Sequence, residues 1–423
     1  MQSDVRITDT TEAPVVAFLA ERGHVAPLIV SDPNTYRAAA GRLGSALSAR
    51  GIAVEEFVLA REKPAADAEA VGDILIGLDR TPDVVIGVGG GTVTDIARLV
   101  AHRMDRAFVS YPTAPSVDAY ASPTSAMTFR GVKKTVPARA PEMIFANTEV
   151  LAAAPHEMIA AGFGDMIAKL TSTPDWELAS VVAEEPFDGD LAARSLRAAE
   201  SCIASADLIR RHEAAGVRTL LDGLIESGDC MREWDGSRPA SGSEHLLSHF
   251  WEMRAARAGV PPALHGAKVA VGTLVIAGLF ERLAAMGASE LKRRVAAAEK
   301  PTAEALRESA VRGFGAEAAD ALLDGNVLAT MSDERFSRMA RNAGESAERI
   351  TEIAASAPDS ARIRELMRSV DGAAHPRELD LSLDDVRDAL ACAHIIRNRF
   401  GLLVFRHLFS LGDLEELVDE VFT

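Results

Sequence analysis

A short apolar strand that runs into three glycines constrains this chain more than any other stretch. Asp83-Val-Val-Ile-Gly-Val88 reads as a buried strand, Gly89-Gly-Gly91-Thr92 follows, and Val93 to Arg103 reads as a helix. Glycine lets a ligand approach the backbone closely, and a helix N-terminus offers free N–H groups to an anion. Three consecutive glycines also lose much chain entropy merely to make a turn. Phosphate binding at Gly89, Gly90, Gly91, Thr92 and Val93 is therefore favoured over a tight turn alone. Thr92 stands where the GxGxxG turn of the ordinary dinucleotide fold has its third glycine.

The segments around this strand alternate. Ala26–Val30 reads as a strand, Thr35–Arg50 as a helix, Ile52–Leu59 as a strand, Ala65–Leu78 as a helix, and Ala107–Ser110 and Met143–Ala146 as further strands. That order predicts a parallel sheet covered on both faces. Residues 1–25 read as a lead-in with one helix, Ala13–Arg22, and Ala126–Val136 as a hairpin turning at Gly131. From about His156 strand signals largely stop. Helices follow, with breaks near Glu184–Gly189, Gly223–Gly242, Gly259–Leu264, Gly325 and Asp371–His375. The expected organisation is an α/β domain over residues 1–150 and an all-α domain over 151–423.

The formal charge is −17, from 62 acids against 45 Lys plus Arg. This argues against a nucleic-acid partner and an anionic membrane surface. An anionic substrate would need local positive charge or helix N-termini. Cys202, Cys230 and Cys392 form no CxxC pair, which fits a reducing compartment without a disulfide framework. No basic segment followed by an apolar run opens the chain, and no uninterrupted apolar run of about 18 residues occurs, so neither a secretory signal nor a membrane span is expected. The expected location is the cytoplasm.

Several residues could carry chemistry. Ser241-Gly-Ser-Glu-His-Leu-Leu-Ser-His249 places two imidazoles one helical turn apart, and Leu264-His265-Gly266 adds a third. Spacing alone fits a metal site and a helix that happens to carry histidines equally well. Asp32, at the tip of a strand, reads first as a helix cap and second as a ribose ligand. Thr113-Ala-Pro-Ser-Val-Asp-Ala-Tyr-Ala-Ser122 lies at the carboxyl end of the sheet, as a binding loop or an ordinary one. Asp165 reads as the start of a long helix, favoured by the dipole and by Lys169 four residues on. His24, His102, His156, His212, His375, His394 and His407 stand singly and read as surface or packing residues. Lys133 and Lys134 read as a solvated hairpin tip.

Taken in order, Gly89–Arg98, Pro112–Ser122, Gly162–Lys169 with Asp175-Trp176, Ser241–His245 and His265-Gly266 resemble the sn-glycerol-1-phosphate dehydrogenases. These belong to the superfamily of iron-containing alcohol dehydrogenases, glycerol dehydrogenase and dehydroquinate synthase. The resemblance runs from about residue 26 to Arg397–Phe400. It implies a Rossmann-like domain followed by a helical one. It implies NAD or NADP held by Asp32, Gly89–Val93, Thr113, Ala114, Pro115, Ser116 and Ser122. It implies one divalent metal on Asp165, His245 and His265, with Asp118, Asp165 and His249 at the substrate and Asp165 and His249 catalytic. A three-ligand site with open positions suits Zn²⁺, and Fe²⁺ or Ni²⁺ are also compatible. The implied reaction interconverts dihydroxyacetone phosphate and sn-glycerol 1-phosphate, in a homo-oligomer of at least two chains. Another polyol or polyol phosphate is the alternative substrate. A phosphate-eliminating synthase would need a dense basic set, which the sequence does not display. Arg98 and Asn147 depart from the family pattern, which usually has Lys and an acid there.

Overall fold

The strand ending in Gly89 lies inside a six-stranded sheet. The computed structural model describes residues 5–8, 12–61, 64–129 and 132–422. Among these, Val5–Thr8 (β1), Pro27–Ser31 (β2), Glu55–Val58 (β3), Val84–Gly89 (β4), Ala107–Pro112 (β5) and Met143–Asn147 (β8) form one sheet in the order β1-β8-β5-β4-β2-β3. Every pairing is parallel. Such a sheet needs both faces covered, which is why its inner strands β2, β4, β5 and β8 read as largely apolar runs, unlike β1 and β3 at the edges. Ile29, Val84, Ile86 and Val88 pack with Val15, Leu19, Leu43 and Leu47. Leu28, Val30 and Val85 pack with Ile74, Ile96 and Val100. Thr124–Phe129 (β6) and Val132–Pro137 (β7) pair antiparallel as the expected hairpin. Its turn at Gly131 lies outside the described residues. Lys133 and Lys134 sit on β7, opposite Thr128 and Met127, rather than at the tip.

By contacts the chain falls into two units, Met1–Met166 with Ser201–Gly236, and Ile167–Glu200 with Ser237–Thr423. The α/β-then-helical fold is as expected. A single cut at residue 150 is not how the units divide, because helix Ala214–Trp234 belongs with the sheet. It approaches the 3₁₀ turn Asp118–Ala121 so closely that a Cβ on Gly228 would stand 2.8 Å from the Asp118 carbonyl oxygen. Glycine here marks a close crossing and not a break. The break expected from Gly223 begins at Asp235, which has φ 55°. Two further differences concern the lead-in, which contains β1, and the helix over 35–50, which is interrupted by a π turn at Tyr36–Ala40. The mixed tetrapeptide Val-Arg-Ile-Thr becomes a strand through its pairing with β8.

Arg98 ties the sheet unit together. Its guanidinium is wholly buried and donates to the carbonyls of Thr124 at 2.6 Å, Tyr120 at 3.1 Å and Ala119. Burial pulls it down to about 10, and Asp95 at 3.6 Å partly offsets this. A planar fork reaches three carbonyls that an ammonium cannot. This is the physical reason for Arg at this position.

The second unit is organised on helix His265–Ala296, broken at Gly287 (φ 70°). It is long and apolar enough to cross a membrane, yet 72% of its most apolar stretch is buried inside the protein. At Gly272 it crosses helix Ser243–Ala258, where a Cβ would stand 2.6 Å from the Glu244 carbonyl oxygen. Histidines that stand singly in sequence pair in space. His156 and His212 stack with Nδ1 and Nε2 2.9 Å apart. His394 and His407 stack at 4.0 Å.

Replacing Arg98 by Ala is expected to cost about 3 kcal/mol of stability, because it leaves buried groups without their partner. Arg98→Lys is expected to recover less than half of that in denaturant unfolding, and full recovery would refute the three-carbonyl account. A pH dependence follows from the second His pair. Burial, then Arg406, lowers His407 from 6.5 to about 4, and burial, then His407, Arg406 and Arg312, lowers His394 well below 6.5. Between pH 6.5 and about 4 the unfolded chain binds protons that the folded chain refuses, so stability falls as pH falls through this window. Thermal melts of His407→Gln are expected to show a shallower acid loss than the parent.

Candidate active site

In the sheet unit the marked residues gather at one edge. β2 and β4 are neighbours through Val30 and Gly87, so Asp32 and Gly89 leave the sheet side by side. β5 flanks β4 through Pro112, which brings Thr113–Ser116 next to the glycine turn. Strand order reverses between β2 and β4, the kind of switch point at which open α/β sheets bind ligands.

Gly90 precedes helix Gly91–Arg103, and no side chain caps it, so the first N–H groups remain available to an anion. A Cβ on Gly89 would stand 2.5 Å from that of Val93, and one on Gly91 would stand 2.8 Å from the Val117 side chain. These two glycines answer a packing requirement. At Gly90 the nearest atom would be the flexible end of Met158, at 3.3 Å. Val93 is in the core, so it can serve a ligand through its backbone alone.

The neighbouring loop is held from several sides. The Tyr120 hydroxyl donates to the Ala114 carbonyl at 2.6 Å and lies 3.1 Å from the Ser116 hydroxyl. A Cβ on Gly162 would stand 1.8 Å from the Pro115 carbonyl oxygen. Ser122 is bonded to Thr124. Asp32 is a helix cap: Oδ1 accepts from Asn34 and Thr35 N–H at 2.8 Å each, and its own N–H donates to Thr35 Oγ1. Asn147 likewise caps helix Thr148–Ala152, a task an acid would also perform.

Asp165 is wholly buried in the last turn of helix His156–Ile167, not at a helix start. A carboxylate there opposes the helix dipole, which removes the dipole explanation for it. Its Oδ2 accepts the Asp118 N–H at 2.9 Å, and Asp118 Oδ2 accepts from Ser227 at 2.9 Å. Lys169 opens the next helix and donates to the Ala240 carbonyl.

The helical unit brings the three imidazoles together. Ring centroids lie 5.4 Å apart for His245 and His265, 5.6 Å for His249 and His265, and 6.4 Å for His245 and His249. Two carboxylates orient them, and neither was singled out in the sequence. His245 Nδ1 is 2.8 Å from Glu244 Oε1, and His265 Nδ1 is 3.0 Å from Glu252 Oε1. In both rings Nε2 is then the nitrogen to offer a metal, the usual arrangement of a metal-ligating histidine. His249 differs. Its Nδ1 is 3.3 Å from Glu252 Oε2, and its Nε2 is 3.2 Å from the Arg397 guanidinium. Both nitrogens of this ring therefore have partners within the protein. Burial lowers His249 to about 3, with Glu252 opposing and Arg397 and His265 reinforcing, and the ring is neutral at neutral pH.

Arg397 belongs to a basic cluster that no sequence run displays. Arg397 and Arg399 both donate to the Ser237 hydroxyl, at 2.9 and 3.2 Å, and Arg399 also donates to the Ser241 carbonyl at 2.6 Å. Arg238 bonds Glu185 and the Phe400 carbonyl. Burial, and then Arg399, hold Arg397 and Arg238 down to about 9, and burial lowers Arg399. The i,i+3 spacing of His249 and Glu252 was the available signal for Glu252. The arginines lie about 160 residues from Ser237 and gave none.

This fold defines a class. It matches a probable glycerol dehydrogenase from Sinorhizobium meliloti (TM-score 0.63, 14% identity, 99% of this chain and 96% of that one). It also matches an iron-containing alcohol dehydrogenase from Corynebacterium glutamicum (TM-score 0.64, 14% identity, 100% and 95%). At such identity these show the fold. Residues 7–155 match the family model for iron-containing alcohol dehydrogenase. A protein of Geobacillus stearothermophilus carrying the name glycerol-1-phosphate dehydrogenase, NAD(P)+, is 34% identical over 93% of this chain and 89% of its own length. One of the same name from Sulfolobus acidocaldarius is 38% identical over 52% of this chain and 62% of its own length. The chain belongs to the glycerol-1-phosphate dehydrogenase family of the iron-containing alcohol dehydrogenases, a family of NAD(P)-dependent oxidoreductases.

Gly162→Ala is expected to unfold or displace the Thr113–Ser116 loop and to cost at least about 2 kcal/mol. Gly90→Ala is expected to leave stability near that of the parent. Denaturant unfolding of the two variants checks the contrast between a packing glycine and an open one.

Proposed function

We propose that this protein interconverts dihydroxyacetone phosphate and sn-glycerol 1-phosphate with NAD(P)(H), using a divalent metal on Asp165, His245 and His265. The observation that carries the metal assignment is the pair of carboxylate–imidazole bonds, Glu244–His245 and Glu252–His265, which fix Nε2 of each ring as the donor. One carboxylate and two imidazoles suit Zn²⁺, Ni²⁺ or Fe²⁺. When bound, the ion would supply Lewis-acid polarisation of the substrate oxygen. The set His249, Glu252 and His265 also lies within reach of a shared ion. We assign it instead to hydrogen bonding, because Glu252 already takes one bond from each ring.

The chain's own groups divide the remaining work. The N–H groups after Gly90 and the Thr113–Ser116 loop hold the dinucleotide phosphates, with Asp32 near the adenosine ribose and Ser122 near the other end. Asp118 borders the substrate. Arg397 and Arg399 hold the substrate phosphate, since their planar forks match phosphate oxygens. Once Arg397 turns from His249 Nε2 to the substrate phosphate, in the oxidative direction the substrate hydroxyl loses a proton to that nitrogen and its carbon gives a hydride to the oxidised nicotinamide. Glu252 stabilises the resulting imidazolium. In reduction the hydride and the proton return to the carbonyl carbon and oxygen. We further propose a homo-oligomer, as the family resemblance implies.

The test is a metal-replete assay with dihydroxyacetone phosphate and each reduced cofactor, with the product's stereochemistry determined. Formation of sn-glycerol 1-phosphate is expected. His265→Ala is expected to purify without bound metal, and Glu252→Gln to weaken metal affinity roughly 10- to 100-fold in chelator competition. Arg399→Gln is expected to raise KM for dihydroxyacetone phosphate more than for the cofactor. Full reduction by metal-stripped protein, or normal metal content in His265→Ala, would sink the assignment.

A further inference from the structure

A second basic cluster lies in the helical unit, on other helices than those around Ser237. Arg312 on helix Ala303–Phe314, with Arg406 and His407 on helix Leu402–Phe409, lines a cavity of about 490 Å³ shared with Ser309 and Glu308. His394 lies behind His407, stacked on it at 4.0 Å. His394 is 1% exposed and neither ring nitrogen has a hydrogen-bond partner. The same holds for the buried Nε2 of His407 and Nε of Arg406. Buried polar atoms left this way are rare and call for a bound water or ion. Arg312 donates to the thiol sulfur of Cys392 at 3.6 Å, a weak acceptor. Glu308, on the exposed rim, is the one carboxylate among the lining residues.

We propose that this cavity binds a phosphate-type oxyanion, either inorganic phosphate or the phosphate group of a small metabolite, between Arg312, Arg406 and His407. Guanidinium forks match phosphate oxygens bidentately, and an imidazole N–H adds a third donor. A cation is disfavoured by the two guanidiniums. The volume fits a small phosphorylated molecule. Burial lowers Arg406 to about 10 and His407 to about 4, and an anion beside them would reverse both shifts. The site has a path to the imidazole cluster. A Cβ on Gly313, next to Arg312, would stand 2.7 Å from Cys392 and 3.2 Å from Phe250, the residue after His249.

The test is calorimetric titration of the intact protein with inorganic phosphate, with chloride as control and a small phosphomonoester as a second arm. Two phosphate sites per chain are expected in the parent, one of them at the Ser237 cluster. Arg406→Gln and Arg312→Gln are each expected to weaken the other site about tenfold or more, as loss of a charged hydrogen bond would. Arg312 is exposed, so its variant decides the matter should Arg406→Gln fail to fold. Arg399→Gln is expected to remove only the Ser237-cluster site, which separates this inference from the proposed function. Tighter binding of the phosphomonoester would identify a metabolite as occupant, and equal or weaker binding would identify free phosphate. Unchanged phosphate binding in both Arg312→Gln and Arg406→Gln, or equal competition by chloride, would overturn the proposal.

Discussion

Glu244 is wholly buried at the start of helix Ser243–Ala258, and a carboxylate there stays charged because each oxygen is used. Oε1 takes the Gly242 N–H at 2.6 Å and faces His245 Nδ1, and Oε2 takes the Thr171 hydroxyl at 3.2 Å. Burial pushes Glu244 up, but the bonds from His245 and Gly242 win and its pKa is lowered. Its neighbour Asp175 goes the other way. Burial, and then Glu244 itself, raise Asp175, with Arg238 and the bonds from Leu402 N–H and Ser243 opposing. One buried charge thus orients His245 and adds to the rise of Asp175, the carboxylate that accepts the Leu402 N–H. The close crossing at Gly272 then sets where the helix that begins at His265 can lie.

The sheet was legible because its signal is local. A strand buried on both faces is a continuous apolar run, and the runs of β2, β4 and β8 are each followed by a helix at short range. The glycine turn was legible for the same reason, though its explanation needed space as well as sequence. Gly89 and Gly91 are glycines because Val93 and Val117 leave no room, whereas a Cβ at Gly90 would meet first the flexible end of Met158. β1 was missed because four mixed residues at an edge carry no periodicity. Gly223 was misread as a break because a glycine inside a helix, as Gly228 at the close crossing also is, and one that ends a helix look alike in one dimension.

The candidate site divides along the same line. The three histidines could be found because His245 and His249 share a helix face and His265 opens the next helix. Their orientation could not, since it depends on which carboxylate reaches which nitrogen. Glu252 meets two rings at once, and the engagement of His249 by Arg397 distinguishes it from the other two imidazoles. Asp165 shows the opposite error. Its helix was placed to start near it, and the dipole then seemed to account for its charge. In the last turn of the helix the dipole is unfavourable, so the carboxylate needs another reason to be there.

The net charge of −17 bears on partners and says little about sites. It argues against a nucleic-acid footprint, because such a footprint is a surface field. A phosphate monoester is met instead by a few guanidiniums taken out of water, where each counts for more than on the surface. The arginines around Ser237 are such a place, and they were invisible as a run of basic residues. The absence of a dense basic run therefore cannot separate a dehydrogenase from a phosphate-eliminating relative, since Arg238, Arg397 and Arg399 form such a set in space. That separation rests on 34% identity over 93% of the chain to a protein named glycerol-1-phosphate dehydrogenase. Clustering is also costly: Arg399 depresses both Arg397 and Arg238, and a dianionic phosphate is the group that would make the cluster favourable. An acidic protein can thus be built to seize anions, provided the positive charges are few, buried and left incompletely neutralised by the protein's own carboxylates.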